Sequence, residues 1–408
     1  MPNLKKGLMG AAGAGGSTPK KLFVWGENGY GGLGLGNTTD LSSPVQLGSD
    51  GDWQRASVGL FSLFIKPDGT LWSCGYGAYG ATGHGNTANT SSPIQIGSET
   101  TWSFINTITS SVGGVKKPRS AAIKTDGTLW MWGNNYGGAL GDSTTVNKSS
   151  PVQVGALTNW KKVVMGRQFT LALKTDGTIW SWGINDSFQL GTGETNQALK
   201  VSSPVQIGSL TTWIDIGAGG NAAGAVRSDG KMYTWGTNYY GNLGNTLSTS
   251  RPAQSSPVLV LGSESFTSIA SAYCQWVCVQ ADGSMFSWGR NYRGQLGIGL
   301  GPGVGFGSRV QSPVQIGGLT DWAGWGVNID GEDVLAFGSN NNSSVPATGV
   351  SWAKTKTDGT LWAWGNGGSG AIGKGNTTSY SSPVQIGTST KWLSAYTGFG
   401  AAWAFEEA

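Results

Sequence analysis

Ten residues, KTDGTIWSWG at Lys174–Gly183, recur in close copy along the chain, and that recurrence limits the fold more than any other feature. The copies are KPDGTLWSCG from Lys66, KTDGTLWMWG from Lys124, RSDGKMYTWG from Arg227, QADGSMFSWG from Gln280 and KTDGTLWAWG from Lys356. A second signature alternates with it: SSPVQIG from Ser202, echoed from Ser42, Ser91, Ser149, Ser255, Gln311 and Ser381. A period near fifty residues, met seven times, marks a stacked or circular array of units too small to bury a core alone. It overrides the two or three domains that 408 residues would otherwise suggest.

Spacing inside the repeat is of two kinds. From the Asp of each Asp-Gly to the Gly that closes the motif is always seven residues, and from each Pro to the next aromatic, as in Pro151–Trp160, always nine. Four strands are expected per unit: VQIG (Val205–Gly208) with Pro204 at its start, one beginning at Trp160, FTLALK (Phe169–Lys174) and TIWSWG (Thr178–Gly183). Asp176-Gly177 predicts a two-residue type I′ hairpin turn. Alternation puts Thr178, Trp180 and Trp182 on one face and Ile179 and Ser181 on the other, so both faces must be covered, as in blades packed around an axis. The last unit stops after its third strand, Ala401–Phe405, and the first opens directly on LFVWG at Leu22–Gly26. The expected fold is all-β: a seven-bladed β-propeller of four-stranded blades over residues 22–408, with one blade closed jointly by N- and C-terminal strands. Residues 1–21, rich in Gly, Ala and Lys, are expected to form a flexible attachment arm.

Charge and cysteine usage narrow the function classes. The net charge is +4, but residues 1–21 hold four lysines and no acid, so the remainder balances at 26 − 4 = 22 basic against 22 acidic residues. A phosphate-tracking surface needs clustered excess cations, so no nucleic-acid partner is expected for the body. Cys74, Cys274 and Cys278 give no disulfide framework, since Cys274 and Cys278 would lie roughly 13 Å apart along one strand. No apolar run reaches the roughly 18 residues of a membrane span. His84, the single histidine, lies in GATGHGNT with no nucleophile pattern beside it, and His/Cys metal sites are excluded by count. The repeated aspartates are accounted for by their turns. GLGLGN from Gly32 and GIGLGPGVGFG from Gly297 lack the context of a phosphate loop. No enzyme activity, cofactor or metal is expected.

The composite motif DGTLWxWGxNxxGxLGxG…SSPVQIG resembles the repeat of the regulator of chromosome condensation family, over Leu22 to Phe405. That resemblance implies a seven-bladed propeller, used in the family for nucleotide exchange, protein inhibition and other roles. The exchange branch is expected to carry an inserted wedge, for which this sequence shows no matching motif. The start, MPNLKKGLMGAAGAGG, resembles more loosely the starts of some marine bacteriophage structural proteins. Two functions follow as expectations. One is a structural or adhesive virion component, in the tail or capsid, that contacts other virion proteins or a host surface molecule. The other is a soluble regulator or inhibitor that clamps a protein, or an exchange-factor-like propeller.

The variable spacings point to a binding face. Aromatic to Asp is 15 or 16 residues in four units, but 24 at Trp102–Asp126 and 36 at Trp322–Asp358. Closing Gly to Pro is 18 in four units, 21 at Gly183–Pro204 and Gly236–Pro257, and 24 at Gly289–Pro313. In an up-and-down blade all these insertions fall on one face of the disc. Variable loops on a rigid scaffold are where binding residues gather. The candidate partner-binding residues there are Tyr239, Tyr240, Arg290, Tyr292, Arg293, Phe306, Arg309 and Trp325, spread over residues 290–312 and 324–351 and the preceding loop.

Overall fold

The computed structural model describes residues 20–49, 51–245, 253–262, 265–300, 309–318, 320–323, 350–398 and 400–408. Seven antiparallel sheets succeed one another as blades, and six of them are four-stranded. The third blade shows the pattern: Trp160–Met165, Phe169–Lys174, Ile179–Ile184 and Lys200–Gln206, hydrogen-bonded in that order. The sixth shows three strands, Ser351–Thr355, Leu361–Gly365 and Tyr380–Ile386, with Trp322 bridging to Lys356 where a first strand would begin. Residues 324–349, which hold the longest insertion, lie outside the described residues.

First strands line the axis. Ser57 and Thr107 hydroxyls meet at 2.8 Å, Asn106 Nδ2 donates to Val163 O at 2.8 Å, Lys162 ion-pairs with buried Asp215, and Asp215 Oδ2 accepts the Ile269 N–H at 2.9 Å. Five successive blades are thus joined through their innermost strands. Between blades lie the apolar clusters; one gathers Phe104, Met131, Val163, Ala172 and Trp182 from the second and third blades.

Closure follows the expectation. Trp392–Thr397 and Ala401–Glu407 form the first half of the seventh blade, and Lys20–Gly26 and Leu41–Gln46 the second. Leu22 pairs with Phe405, and Lys20 and Lys21 stand opposite Glu407 and Glu406. Strand therefore begins two residues before the end assigned to the arm; residues 1–19 lie outside the described residues.

Two local expectations are corrected. The SSPVQ strand pairs with the strand before it, Trp180 with Gln206 and Ser181 with Val205, so it is the outermost strand of the preceding blade. Pro204 sits within that strand and not at its start. The register slips there between Ser181 and Gly183, and an edge strand with a bulge tolerates a residue that has no N–H. The nine-residue Pro-to-aromatic segment is thus the crossover between blades. It runs under the Asp-Gly turn so closely that a Cβ on Gly177 would lie 2.2 Å from Thr211 O, with the same contact at Gly69, Gly127, Gly283 and Gly359. The two fixed spacings are fixed because these two segments touch.

The turn itself is not type I′. Gly177 has φ +77°, but Asp176 is not among the positive-φ residues, and Gly177 N–H donates to Lys174 O at 3.1 Å. Thr175 and Asp176 make a type I turn, and Gly177 follows in the left-handed region. Asp176 prefers this arrangement because its carboxylate accepts the N–H and hydroxyl of Thr178 two residues on.

Candidate functional site: the loop face

Strand direction sorts the connections. Crossovers and Asp-Gly turns occupy one face, while the turns between first and second strands and the loops between third and fourth strands occupy the other. The reassignment of the SSPVQ strand leaves this division intact, so among the described residues the variable connections lie on one face. The 24-residue spacing in the second blade is an extended hairpin, Trp102–Val112 with Val115–Lys124, closed by Gly113 and Gly114 at φ +57° and +82°.

Loops on this face are held by a repeated lock. In each WGxN segment the Asn carboxamide oxygen accepts the N–H of the Leu five residues on: Asn135 from Leu140 at 2.9 Å, Asn185 from Leu190 at 3.1 Å and Asn291 from Leu296 at 3.1 Å. The indole of the next blade then donates into the same loop, as Trp182 Nε1 does to Ala139 O at 3.0 Å and Trp235 Nε1 to Gln189 O at 3.0 Å. Glycine is required at the crossing, because a Cβ on Gly141 would stand 2.6 Å from Trp182 Nε1. At the equivalent place in the first blade Cys74 replaces Trp, its Sγ 3.5 Å from Gly32 O.

On this scaffold the candidate residues of the fourth and fifth blades converge. Arg290 lies over three rings, 5.2 Å from the centroid of Tyr240, 5.4 Å from Tyr273 and 5.4 Å from Tyr292, and Arg293 lies 5.6 Å from Tyr292. Tyr240 and Tyr273 stand 6.4 Å apart. Arg309 is the direct cross-strand neighbour of Arg290. Tyr239, 49 % exposed, precedes Tyr240 in the same turn. Phe306 and Trp325 fall outside the described residues.

Tyr273 was not among the sequence candidates. It sits in the short turn between the first and second strands of the fifth blade, where no length change draws notice, and it holds φ +48° without being glycine. Burial pushes its phenol pKa up, with Arg290 and Arg167 pulling the other way. An aromatic residue in a turn that glycine or asparagine favours was the available signal.

A second group, also unforeseen, surrounds the long hairpin. Lys116 lies 4.3 Å over the Tyr30 ring and donates to its hydroxyl at 3.2 Å, while the tilted rings of Tyr30 and Tyr76 have centroids 4.6 Å apart. Lys117 lies 3.9 Å over Tyr136, and its pKa is lowered by burial and then by Arg119 and Arg167. Arg119, fully buried, donates to the carbonyls of Gly166, Arg167 and Phe169 in the next blade. Arg167 Nε donates back to Ser111 O at 3.3 Å. The hairpin is thereby braced on both sides. Total charge balances in the body, yet these cations gather on the loop face.

His84 does have a hydroxyl beside it. Its Nε2 is 2.9 Å from Ser73 Oγ and 3.3 Å from Ile94 O. The Ser73 hydroxyl donates to Thr82 O at 2.6 Å, so His84 is the donor of the pair and does not activate a nucleophile. Ser181, Thr234 and Ser287 make the same loop bond with no histidine, which marks the hydroxyl as structural. The three cysteines are free and buried, Cys278 on Gln275–Gln280 and Cys274 in the turn just before it.

Comparison with known proteins agrees with this architecture. A model of the RCC1-like domain matches residues 21–404. The human E3 ubiquitin-protein ligase HERC2 is 32 % identical over 274 residues, which are 65 % of this chain but 5 % of HERC2, so the chain spans about a twentieth of that relative. The ultraviolet-B receptor UVR8 of Arabidopsis thaliana is 27 % identical over 339 residues, 81 % of this chain and 71 % of UVR8. Among solved structures, Prp20p of Saccharomyces cerevisiae superposes with a TM-score of 0.73 at 19 % identity, covering 96 % of this chain and 92 % of that one. Human WBSCR16 superposes at 0.72, also at 19 % identity, covering 95 % and 99 %. The resemblance of the first sixteen residues to phage proteins lies outside both the matched segment and the described residues. With the repeat, the blade closure and the family match in agreement over the same residues, this chain belongs to the RCC1-like domain family.

Proposed function

We propose that the chain is a non-enzymatic protein-binding propeller, a regulator that holds a partner protein on its loop face. The observation that carries this reading is the convergence of Arg290, Arg309, Tyr239, Tyr240 and Tyr292 from neighbouring blades on loops locked by indole bonds. Tyr and Arg are the residues that anchor interfaces, and a rigid scaffold lowers the entropy lost on docking. Similar structures support a protein partner: Prp20p is described with binding properties to Gsp1p and histones, and with Kap60 bound. Relatives matched over 65 % and 81 % of this chain include human, mouse and Arabidopsis thaliana proteins, which favours the regulator over the virion component suggested by the N-terminal residues. The braced hairpin of the second blade supports a narrower reading, an exchange-factor-like propeller, because it is an inserted β element standing on the same face.

Site-directed crosslinking tests the reading. A photo-reactive phenylalanine at Tyr239 is expected to give a defined adduct with a partner from cell extract. The same group at Thr175, exposed on the opposite face, is expected to give none. The reverse pattern would move the site to the Asp-Gly face.

A further inference from the structure

Resting on the loop face as docking surface, we propose that its fifth-blade end recognises a carboxylate-rich segment of the partner protein, with Arg290 and Arg309 acting together as the clamp. The two arginines are direct partners across an antiparallel strand pair. Such neighbours have Cβ atoms about 5 Å apart, and like charges there destabilise a sheet. The repeat does not demand this arrangement. In the second blade, at the corresponding start of the loop, Asn134 and Asn147 are hydrogen-bonded instead. In the third, Ile184 stands opposite Lys200. Two arginines standing directly opposite each other are therefore a departure of the fifth blade from the second and third.

Among the described residues no carboxylate neutralises them, and neither Arg290 nor Arg309 is in ion-pair reach of one. In the sequence, Asp282 is the only acid between Glu264 and Asp321. Asp282 lies in the turn on the opposite face, where it accepts from Ser284. Among the described residues the pair thus stands without a counter-charge, which a partner can supply.

Side-chain chemistry selects the kind of anion. Arginine presents a planar fork that matches a carboxylate through two parallel hydrogen bonds, which lysine cannot do. Rings of Tyr240, Tyr273 and Tyr292 surround Arg290 and fix its plane before any partner arrives. A single-stranded nucleic acid would need open aromatic faces for its bases, and here those faces are taken up by arginine. The balanced charge of the body also supplies no long-range field for a phosphate chain. An acidic stretch of polypeptide meets the site with its carboxylates alone, and that is the partner the geometry favours.

The test titrates the full chain with fluorescent octaglutamate and, in parallel, with a single-stranded RNA octamer. Octaglutamate is expected to bind, with affinity falling as salt is raised. Arg290→Ala and Arg309→Ala should each weaken it about tenfold or more, and Arg290→Lys should recover only part of the loss. Because like-charge repulsion is relieved, Arg309→Ala is expected to leave the melting temperature unchanged or raised, which a structural arginine would not do. Tighter binding of the RNA, unchanged octaglutamate binding in both variants, or a fall in melting temperature for Arg309→Ala would overturn the proposal. So would salt-sensitive self-association lost in the same variants, which would make the occupant a second copy of this chain. If octaglutamate fails to bind while the Tyr239 adduct persists, the acidic partner is refuted and the loop-face reading stands.

Discussion

At the scale of single residues, the repeated DGTxW motif is a hydrogen-bond relay. Asp176 Oδ1 accepts the Thr178 hydroxyl at 2.7 Å, and Thr178 Oγ1 accepts Trp180 Nε1 at 2.9 Å. Lys174 closes the group, 3.8 Å over Trp180 and 4.9 Å over Trp160. The relay recurs at Asp68–Thr70–Trp72, Asp126–Thr128–Trp130 and Asp358–Thr360–Trp362. Where Lys231 and Tyr233 replace Thr and Trp, Arg227 holds Asp229 instead. The Thr178 hydroxyl, then its N–H, keep the Asp176 carboxyl below the usual aspartate range. A folded pKa below the unfolded one gives stability that is present above the unfolded pKa and is lost as pH falls through the folded value. Thr178→Val is expected to bring the Asp176 pKa back toward ordinary, read by carboxyl NMR titration, and to cost about 0.5 kcal/mol, the low end for an exposed hydrogen bond. An Asp176 titration unmoved by the substitution would remove the relay.

At the scale of elements, the lock between blades separates two kinds of glycine. Gly141 has φ +75° and no room for a Cβ beside Trp182 Nε1, whereas Gly155 has φ +61° and nothing within 4 Å. Gly155→Ala is expected to cost about 1 kcal/mol, the strain of a left-handed residue alone. Gly141→Ala carries that strain and displaces a buried indole, so a loss of about 3 kcal/mol or more is expected by denaturant unfolding. Equal losses would show that the indole contact contributes nothing. The glycines are plain in the sequence, since LG recurs at a fixed distance from WG. Their partner is not plain, because it lies in the following repeat and is reached only once blades stand side by side.

At the scale of the molecule, the ring depends on the shared blade. Removing Ala401–Ala408 takes away a strand paired on both sides, with Trp392–Thr397 and with Lys20–Gly26. Loss of soluble protein is the expected result, checked by fractionation after expression. A truncated chain that stays soluble with unchanged melting would mean that the ring does not need this strand. Blade number, closure and the variable face were legible in the sequence, because spacing and the terminal half-units record them directly. Membership of the SSPVQ strand was not, since regular spacing is the same whichever neighbour it bonds. Nor was the placing of Lys116, Lys117 and Arg167 on the same face as the fifth-blade arginines, because total charge says nothing about sides. Tyr273 was hidden for a similar reason: its turn keeps a constant length while its side chain reaches toward Arg290.

The pairing of Leu22 with Phe405 also has a consequence in time. Some 380 residues separate the two, and a ribosome adding about 5–20 residues per second needs roughly 20–80 s between them. Through that interval the outer hairpin of the seventh blade has emerged, and the edge of Lys20–Gly26 that will receive the last strand has no partner. Lys20 and Lys21 stand on that edge, where lysine discourages a wrong strand from another chain. When Glu406 and Glu407 arrive, the charges that guarded the waiting edge become cross-strand neighbours of opposite sign.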